Sequence, residues 1–449
     1  MIFRTFFLTL FVNFIIYSIA FADGGAFSYT GDDSSLLLYN EKSQLCFINH
    51  QDDTQKMLLN VTLNDKFDDN KIIWLFPIPA KPNETTIDII ESAPNLISTD
   101  LKSEFDRKFE YYKRLYFASQ IFFIPSLFDL ITISNFYKSK SANYENGVEV
   151  LQKIDKHGIT SELINVKNKN DFIEYLKFHK IKFSDDFNKI LDQYLGNDYL
   201  FVLSWLSNRS KYKTKSLETP HNYELSTNNL ALEIFITFKT PKIFFPLKFT
   251  SIYSDAIIPI NIYVMNFVTP ELFSEIMPFS KSEYYSIPNF NVPTELKNFF
   301  FNTNQFDELK YTKIIINSSA NNFVNDLWIN KNIPIYITLI SKFKNHLHII
   351  FIVLFAFISC LSSLLAGKLF FYDSSKTYLF LLGLLNLISS FAVFLGIFFS
   401  MYNNRLITDE IDSKTSRKYV FFYFLLFVTL FFMLSNVSFK IMQFVFNYS

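Results

Sequence analysis

The chain has 449 residues, of which 49% are hydrophobic, and its mean hydropathy is +0.16. That value is high for a soluble chain and is typical of a protein with some membrane-spanning segments. The formal net charge is zero, so the basic surface of a nucleic-acid-binding protein is not indicated and we expect no nucleic-acid partner. The two cysteines, Cys46 and Cys360, are too few for a disulfide scaffold or a zinc finger.

The first 22 residues have the pattern of a secretory signal peptide. Arg4 supplies a positive charge, residues 6–19 are almost wholly apolar, and Ala20-Phe21-Ala22 places small residues before a cut at Asp23. An uncleaved anchor is the alternative, and it would export the same region. Both interpretations place the bulk of the chain outside the cytoplasm.

Short β-type runs separated by polar turns follow. They are predicted as strands over residues 36–39, 44–49, 57–63 and 72–76, with turns at 31–33 and 50–53. The last run is continuously apolar, which predicts a strand buried on both faces. The close spacing of the four runs predicts one sheet built as a meander.

A proline-rich motif, Trp74-Leu-Phe-Pro-Ile-Pro-Ala-Lys-Pro82, continues this run. Proline lacks an N–H and pushes the preceding residue towards extended geometry, so the prolines are predicted to end the strand. The motif holds little reactive chemistry and is predicted to be structural. Its key residues are Trp74, Phe76, Pro77, Pro79 and Pro82.

Residues 98–146 are predicted to be a helical insert and linker. Phe105, Phe109, Tyr112 and Tyr116 recur at helical spacing among alternating charges, which predicts a helix over 104–116. The apolar run 117–133 is long enough to be considered as a membrane span. Asp129 would be costly in lipid and favours a buried or interfacial helix instead.

A second αβ region follows the linker. Strands are predicted over residues 148–154, 159–166, 199–206, 231–239, 243–253 and 257–267. Asn170 is predicted to cap a helix over 171–179, and Ser184 to open another helix that Gly196 would close. Residues 23–345 are therefore predicted to form an extracytoplasmic α+β region, rich in strands and with a few helices.

Several short motifs fall in an order that resembles a known family of exported prokaryotic proteins. They are Asp23-Gly24-Gly25, the Trp74 to Pro82 motif, Gly147-Val-Glu-Val-Leu151, Phe235-Ile-Thr-Phe-Lys239 and Pro246-Leu-Lys-Phe-Thr250. The family is known as a domain of unknown function, number two-three-three-zero, and the resemblance covers roughly Asp23 to Pro334. Many members have Cys where this chain has Asp23. The resemblance implies an envelope protein with a signal peptide and often a membrane anchor, and it implies no activity.

Residues 346–449 are predicted to be a membrane domain. Its three apolar runs, 347–371, 377–401 and 419–439, each reach the roughly 20 residues needed to cross a bilayer. Three crossings from an external region would leave the C-terminus in the cytoplasm. The charge rule conflicts with this arrangement, because the predicted outer loop carries Arg405, Lys414, Arg417 and Lys418.

Small residues mark one face of the first predicted membrane helix. Ser359, Ser363 and Gly367 recur every four residues, a spacing that lets helices approach closely in lipid. They are predicted to pack the helices against each other, with contact to a partner's helices as the alternative. No ionisable residue lies mid-membrane in the three runs, which argues against a pump or a proton-coupled transporter.

The sequence indicates no catalytic, cofactor-binding or metal-binding residues, and no cofactor. His346 and His348 lie at a membrane boundary without a carboxylate to complete a metal site. The acidic pairs Asp68-Asp69 and Asp185-Asp186 are more typical of caps and turns than of calcium ligands. Hydrolase, nucleotide-binding and metalloprotease motifs are absent from the sequence.

The leading hypothesis is a membrane-anchored extracytoplasmic protein that serves as a binding or structural module of a cell envelope. Membrane lipid is the expected partner, and a membrane or envelope protein is a second candidate partner. One alternative is an extracytoplasmic enzyme, hydrolase-like, in which His157 or His179 would meet carboxylates in a cleft. Another alternative is an accessory subunit of a membrane complex.

Overall fold

The computed structural model describes residues 25–29, 36–39, 43–63, 72–90, 92–119, 151–166, 169–179, 181, 185–195, 198–208, 211, 230–370, 380 and 413–447. The predicted signal peptide, the predicted turn at 31–33 and residues 120–133 lie outside this part. So does the predicted span 377–401, apart from Phe380.

The chain divides into two compact units. The first, here called the sheet unit, comprises residues 1–98 and 138–333, and the second, the helical unit, comprises residues 99–137 and 334–449. The described part of the predicted insert, residues 99–119, therefore belongs with the C-terminal helices. The described fold is mixed α+β, rich in strands with few helices, as the sequence predicts. It ends in two long apolar helices where the sequence predicts three, and the predicted span between them lies outside the described residues apart from Phe380.

Sixteen strands are described in the sheet unit. They are β1 (Gly25–Tyr29), β2 (Leu36–Tyr39), β3 (Ser43–Gln51), β4 (Thr54–Leu63), β5 (Ile72–Ile78), β6 (Thr85–Asp88), β7 (Gln152–Lys156), β8 (Ile159–Asn165), β9 (Leu200–Leu206), β10 (Leu230–Lys239), β11 (Ile243–Phe245), β12 (Ile257–Met265), β13 (Thr269–Pro270), β14 (Ser280–Asn291), β15 (Gln305–Ser319) and β16 (Leu327–Asn330).

These strands form three sheets. A six-stranded sheet has the order β2-β1-β5-β9-β8-β7, a seven-stranded sheet has the order β14-β15-β12-β3-β4-β10-β6, and a small sheet has the order β11-β16-β13. Neighbouring strands run antiparallel except for β3 and β12, which are parallel. The predicted single meander is wrong, because β3 and β4 lie in the seven-stranded sheet while β1, β2 and β5 lie in the other.

Three further predictions about local structure are corrected. Pro77 does not end its strand, since β5 continues to Ile78 and Pro77 pairs with Phe201 of β9. On its other edge, β5 pairs with β1 as far as Leu75 and no further. Pro77 lies beyond this pairing, so its missing N–H removes no hydrogen bond to β1. The predicted strand 243–253 stops at Phe245 and gives way to a 3₁₀ helix, Lys248–Tyr253. Asn170 lies inside its helix, which begins at Lys169.

Helix α2 (Lys169–Phe178) covers one face of the six-stranded sheet. The segment that begins with helix α3 (Asp185–Leu191) reaches the same face through Tyr194, whose ring centroid is 6.4 Å from that of Phe201. Phe172 of α2 lies against Phe201 of β9, with ring centroids 4.7 Å apart. The side chains on the opposite face of β5 are buried in the same apolar cluster as Cys46 of β3 and Met57 of β4. The six-stranded sheet is therefore buried between helices and the second sheet, as the apolar run of β5 predicts.

The second face of the seven-stranded sheet is also buried. Phe47 and Leu58 lie there with Leu296, Phe299 and Phe300, which belong to the connection between β14 and β15. Phe299 and Phe300 pack edge to face, with ring centroids 5.0 Å apart. This connection thus closes the sheet on the side away from β5.

A buried amide joins the seven-stranded sheet to the small sheet. The side chain of Gln55 donates from Nε2 to the carbonyl oxygen of Phe244 over 2.7 Å, and its Oε1 accepts the Phe244 N–H over 2.8 Å. Gln55 is fully buried, so both hydrogen bonds satisfy groups that cannot reach water. The Gln55 side chain thus forms with the backbone of Phe244 the two hydrogen bonds that a neighbouring strand would otherwise form.

The helical unit contains α1 (Leu101–Ser119), α4 (Ile335–Phe343), α5 (Leu347–Phe370) and α6 (Ser413–Asn447). Asp100 caps α1, because its Oδ2 accepts the N–H of Ser103 over 2.9 Å. The predicted helix over 104–116 is confirmed and is longer at both ends. Its aromatic face packs on the long helices, with the Phe109 ring 5.6 Å from Phe351 of α5 and 6.1 Å from Phe439 of α6.

Candidate functional site

The proline-rich motif lies in the core of the sheet unit. Trp74 and Phe76 share one face of β5, neither is more than 1% exposed, and their ring centroids are 4.4 Å apart. Pro77 is also buried, whereas Pro79 and Pro82 are half-buried, and Pro82 begins a short 3₁₀ turn. The aromatic part of the motif therefore offers no surface to a ligand.

A Trp74→Ala variant should lose about 3–5 kcal/mol of unfolding free energy, because it leaves a large cavity in a core buried on both sides of the strand. Thermal unfolding of the detergent-solubilised full chain, followed by circular dichroism, measures this as a lower Tm. Phe279→Ala is the matched control, since Phe279 is 49% exposed and should be nearly neutral. An unchanged Tm for Trp74→Ala would contradict the core assignment.

A cluster of chemically capable side chains lies on the helix-covered side of the six-stranded sheet. The Glu162 carboxylate accepts a hydrogen bond from Lys153 Nζ at Oε1 over 2.6 Å and another from the Tyr175 hydroxyl at Oε2. Trp205 lies beneath Lys153, and His179 lies between Trp205 and Tyr175, with ring centroids 5.3 and 4.8 Å away. The sequence analysis did not single out Glu162, Lys153 or Tyr175.

The chemistry of this cluster is that of a structural ion pair. Both oxygens of Glu162 are engaged, so the carboxylate is not free to act as a general base. Burial, the hydrogen bond to Glu162 and its negative charge all raise the pKa of Tyr175, which keeps its hydroxyl a donor. His179 lies near the cluster through its ring contacts with Tyr175 and Trp205. The hydroxyl that bonds to the Glu162 carboxylate belongs to Tyr175. The hydrolase-like alternative stays a prediction without support from this geometry.

The other histidines are dispersed. His50 is buried and its Nε2 lies 2.8 Å from the Thr240 carbonyl oxygen, so this nitrogen carries the proton. Burial lowers the pKa of His50, which favours the neutral ring. His157 lies in the turn between β7 and β8 with a positive φ of 55°, and His346 and His348 flank the start of α5. His221 lies outside the described residues.

In the part of the chain that the structure describes, no group of three or more His, Cys, Asp or Glu side chains is placed to hold a metal ion. Neither Cys46 nor Cys360 forms a disulfide, and both are buried. Cys46 lies in the core of the sheet unit and Cys360 lies within α5.

A buried acid lies at the edge of the sheet unit's core. The Tyr194 hydroxyl donates a hydrogen bond shared between the two carboxylate oxygens of Asp326, at 3.0 and 3.2 Å, and the backbone N–H of Lys248 donates another at 2.9 Å. Burial raises the pKa of the Asp326 carboxyl to about 6, although these hydrogen bonds oppose the shift. A lone Asp before a short strand gives no signal in the sequence, because its burial depends on Tyr194, which is 132 residues away.

The pKa of Asp326 makes the stability of the sheet unit pH-dependent. Its folded-state pKa of about 6 lies above the ordinary value of 3.8, so the folded state binds the proton more tightly. The resulting stabilisation is complete below the ordinary value and is lost as the pH rises through about 6. The Tm of the wild-type chain should therefore fall, relative to that of Asp326→Asn, between about pH 4 and pH 6.5.

Tyr194→Phe separates this effect from general acid stability. The Tyr194 hydroxyl bonds to the carboxylate and holds the pKa down, so its removal should move the midpoint to higher pH. A wild-type Tm that follows Asp326→Asn in parallel across this range would contradict the assignment.

The long helices of the helical unit meet along a seam of small and aromatic side chains. Ser359, Ser363 and Gly367 of α5 are buried, and Ser363 Oγ lies 2.7 Å from the hydroxyl of Tyr423 on α6. Ala366 of α5 packs with Tyr423 and Phe427. Small residues on α5 thus provide the space that the aromatic rings of α6 fill.

The opposite faces of the same two helices expose large apolar side chains. On α5 they include Phe357, 64% exposed, and Leu369, 73% exposed, and on α6 they include Met433, 62% exposed, and Phe444, 66% exposed. Residues Leu347–Leu369 and Phe422–Phe446 are each long and apolar enough to cross a membrane. Less than half of the most apolar part of either stretch is buried, which is compatible with association with a membrane.

A cavity of about 210 Å³ lies between α1 and α6. It is lined by Phe105, Asp106, Phe109, Glu110, Met442, Gln443 and Phe446. Two of its polar side chains are already engaged, since Glu110 accepts from Lys113 over 2.9 Å and from Gln443 over 3.4 Å. The cavity is smaller than the pockets that usually hold drug-sized ligands, and we regard it as a packing gap.

Comparisons with known proteins give little guidance. No protein-family model matches the chain, and no curated protein matches it. Among solved structures it is similar to a mutated baculovirus P35 after caspase cleavage, with 10% identity over 65% of this chain and 100% of that chain and a TM-score of 0.26. A second structure, of baculovirus P35, has 11% identity over 66% and 97% of the two chains and a TM-score of 0.22. At these TM-scores the similarity carries no argument about function.

Proposed function

We propose that this chain is a multi-pass membrane protein whose sheet unit lies outside the cytoplasm and serves as a binding or structural module. The observation that carries the membrane part is the apolar outer surface of α5 and α6. Large side chains such as Phe357 and Met433 cover this surface, and contiguous apolar patches of this kind are rare on soluble monomers. Lipid is the occupant that such a surface fits.

The dimensions of the helices support the same proposal. The candidate spans have 23 and 25 residues, which at 1.5 Å per residue gives about 35 Å, enough for a hydrocarbon core of about 30 Å. The signal-peptide pattern of the first 22 residues supports an extracytoplasmic sheet unit. The third predicted span, 377–401, stays a prediction.

The proposal of a binding or structural module is supported by the state of the polar groups in the sheet unit. Glu162 and Asp326 are each engaged by at least two donors, and Gln55 bonds to the backbone. These groups stabilise the fold, whereas a catalytic acid or base must face a substrate. An accessory role in a membrane complex remains the second candidate, since a module held at a membrane suits it.

A charge placed on the outer face of α5 should disfavour membrane insertion, and more strongly near the middle of the span than at its end. Phe357→Arg puts a cation near the middle of the span and should cost about 2.5–3.5 kcal/mol of insertion free energy. Leu369→Arg is the matched control, because it is equally exposed at the end of the span and should cost much less. The measurement is the fraction of each full-length variant that stays in the membrane pellet after alkaline carbonate extraction.

The control decides between lipid and water as the surroundings of this face. If the face met water, both arginines would be tolerated equally and the wild-type chain would be released by carbonate. That result would overturn the membrane anchor.

The module itself is tested by cross-linking in cells followed by purification of the full chain in detergent. A binding or accessory role predicts a reproducible membrane or surface protein among the cross-linked peptides identified by mass spectrometry. A chain recovered without such a partner would count against both roles and leave a self-contained structural protein or an enzyme.

A further inference from the structure

The direction in which α5 and α6 pack fixes how the chain threads the membrane. Along α5, Phe351, Phe355 and Ser363 meet, in turn, Phe439, Phe431 and Tyr423 of α6. Residue numbers rise on one helix as they fall on the other, so the two helices are antiparallel. The end of α6 therefore lies beside the start of α5.

We infer that α5 and α6 form a membrane hairpin, with the C-terminus on the same side of the membrane as the sheet unit. This inference rests on the proposed membrane anchor. Between the sheet unit and α5 lies α4, whose nine residues are too short to cross a bilayer, so the sheet unit is on the side where α5 begins. The hairpin differs from the expectation of one crossing at 377–401 with a cytoplasmic C-terminus, because one crossing there would make α5 and α6 parallel.

Helix α1 identifies that shared end as the one at the water interface. Its aromatic residue Phe109 contacts both Phe351, near the start of α5, and Phe439, near the end of α6. The same helix carries ion pairs, Glu104 with Lys108 at 2.7 Å and Glu110 with Lys113 at 2.9 Å. A helix with these charged side chains belongs in water or among headgroups, and α1 is held against the ends that the hairpin brings together.

The pairing of β5 with β9 limits how the insert between them can cross the membrane. Residues Ile73–Ile78 pair with Leu200–Trp205, so the chain before the insert and the chain after it are on one side of the membrane. A single crossing within residues 99–150 is therefore incompatible with the sheet.

The hairpin also removes the conflict with the charge rule. Between the two candidate spans the chain carries five basic residues, and they now all lie on the side opposite the sheet unit. They are Lys376, Arg405, Lys414, Arg417 and Lys418. On the other side, within 20 residues of the spans, are three, Lys331, Lys342 and Lys344. Because short loops rich in Lys and Arg stay in the cytoplasm, this bias places the sheet unit outside, in agreement with the signal-peptide pattern.

Single-cysteine reporters in the full chain test the hairpin. Ser274→Cys reports on the sheet unit, Asn404→Cys on the connection between the spans, and Ser449→Cys on the C-terminus. The native cysteines are buried, so the wild-type chain serves as the labelling background. A membrane-impermeant maleimide is applied to intact cells and to the same cells after detergent treatment.

The hairpin predicts that Ser274→Cys and Ser449→Cys react to the same extent with and without detergent, whereas Asn404→Cys reacts only after detergent. Reaction of Ser274→Cys with protection of Ser449→Cys would overturn the hairpin and restore an odd number of crossings. Reaction of all three in sealed cells, with release of the chain by carbonate, would instead overturn the membrane anchor on which the inference rests.

A cross-linking pair checks the helix direction independently of sidedness. With a short bismaleimide, Ser363→Cys combined with Tyr423→Cys should give an internal cross-link, because their hydroxyls lie 2.7 Å apart in the wild-type chain. Ser363→Cys combined with Phe439→Cys is the matched control and should not, since Phe439 lies beside Phe351. Cross-linking of the control pair in preference to the first would show parallel helices and overturn the inference.

Discussion

The hydrogen-bonded pairing of β5 with β9 is the interaction on which the arrangement of this chain depends. It joins residues on either side of the insert that carries α1, and it places the most apolar strand of the protein at the centre of the six-stranded sheet. Once β5 is there, both its faces need apolar cover. Helix α2 covers one face, and the second sheet shares an apolar cluster with the other. The chain passes from the sheet unit to the helical unit after Ser98 and again after Ile333.

The two units are stabilised by different physical means. In the sheet unit burial of aromatic and aliphatic side chains dominates, and buried polar groups such as Gln55 are matched to backbone partners. In the helical unit the seam depends on close approach and on one hydroxyl pair, Ser363 with Tyr423. That hydrogen bond orients the helices, because an unpaired hydroxyl would be costly among apolar neighbours.

Local sequence patterns predicted much of the secondary structure and little of the topology. The strand at residues 36–39 follows from its short apolar run between polar turns, and helix α1 follows from its periodicity. The long apolar runs give the positions of α5 and α6. The choice of sheet was not predictable, because the distant partner strands that decide it, β12 for β3 and β9 for β5, leave no local mark in the sequence. No strand beyond Phe267 was predicted, although β15 alternates polar and apolar residues over part of its length. The antiparallel direction of α5 and α6 is likewise invisible, since a seam of small residues reads the same in both directions.

The parallel contact between β3 and β12 has a consequence for the time course of folding. Residues Gln44–Ile48 pair with Ile260–Val264. More than 200 further residues must therefore be synthesised after β3 before β12 can pair with it. Contacts between such distant residues slow folding, because loop-closure entropy is lost before the contacts form. If the chain is exported as it is made, β3 emerges early with one edge unpaired, and that edge is open to aggregation until β12 and then β15 arrive. We therefore expect the sheet unit to close only shortly before α5 leaves the ribosome, which makes the first half of the chain the part that most needs a chaperone.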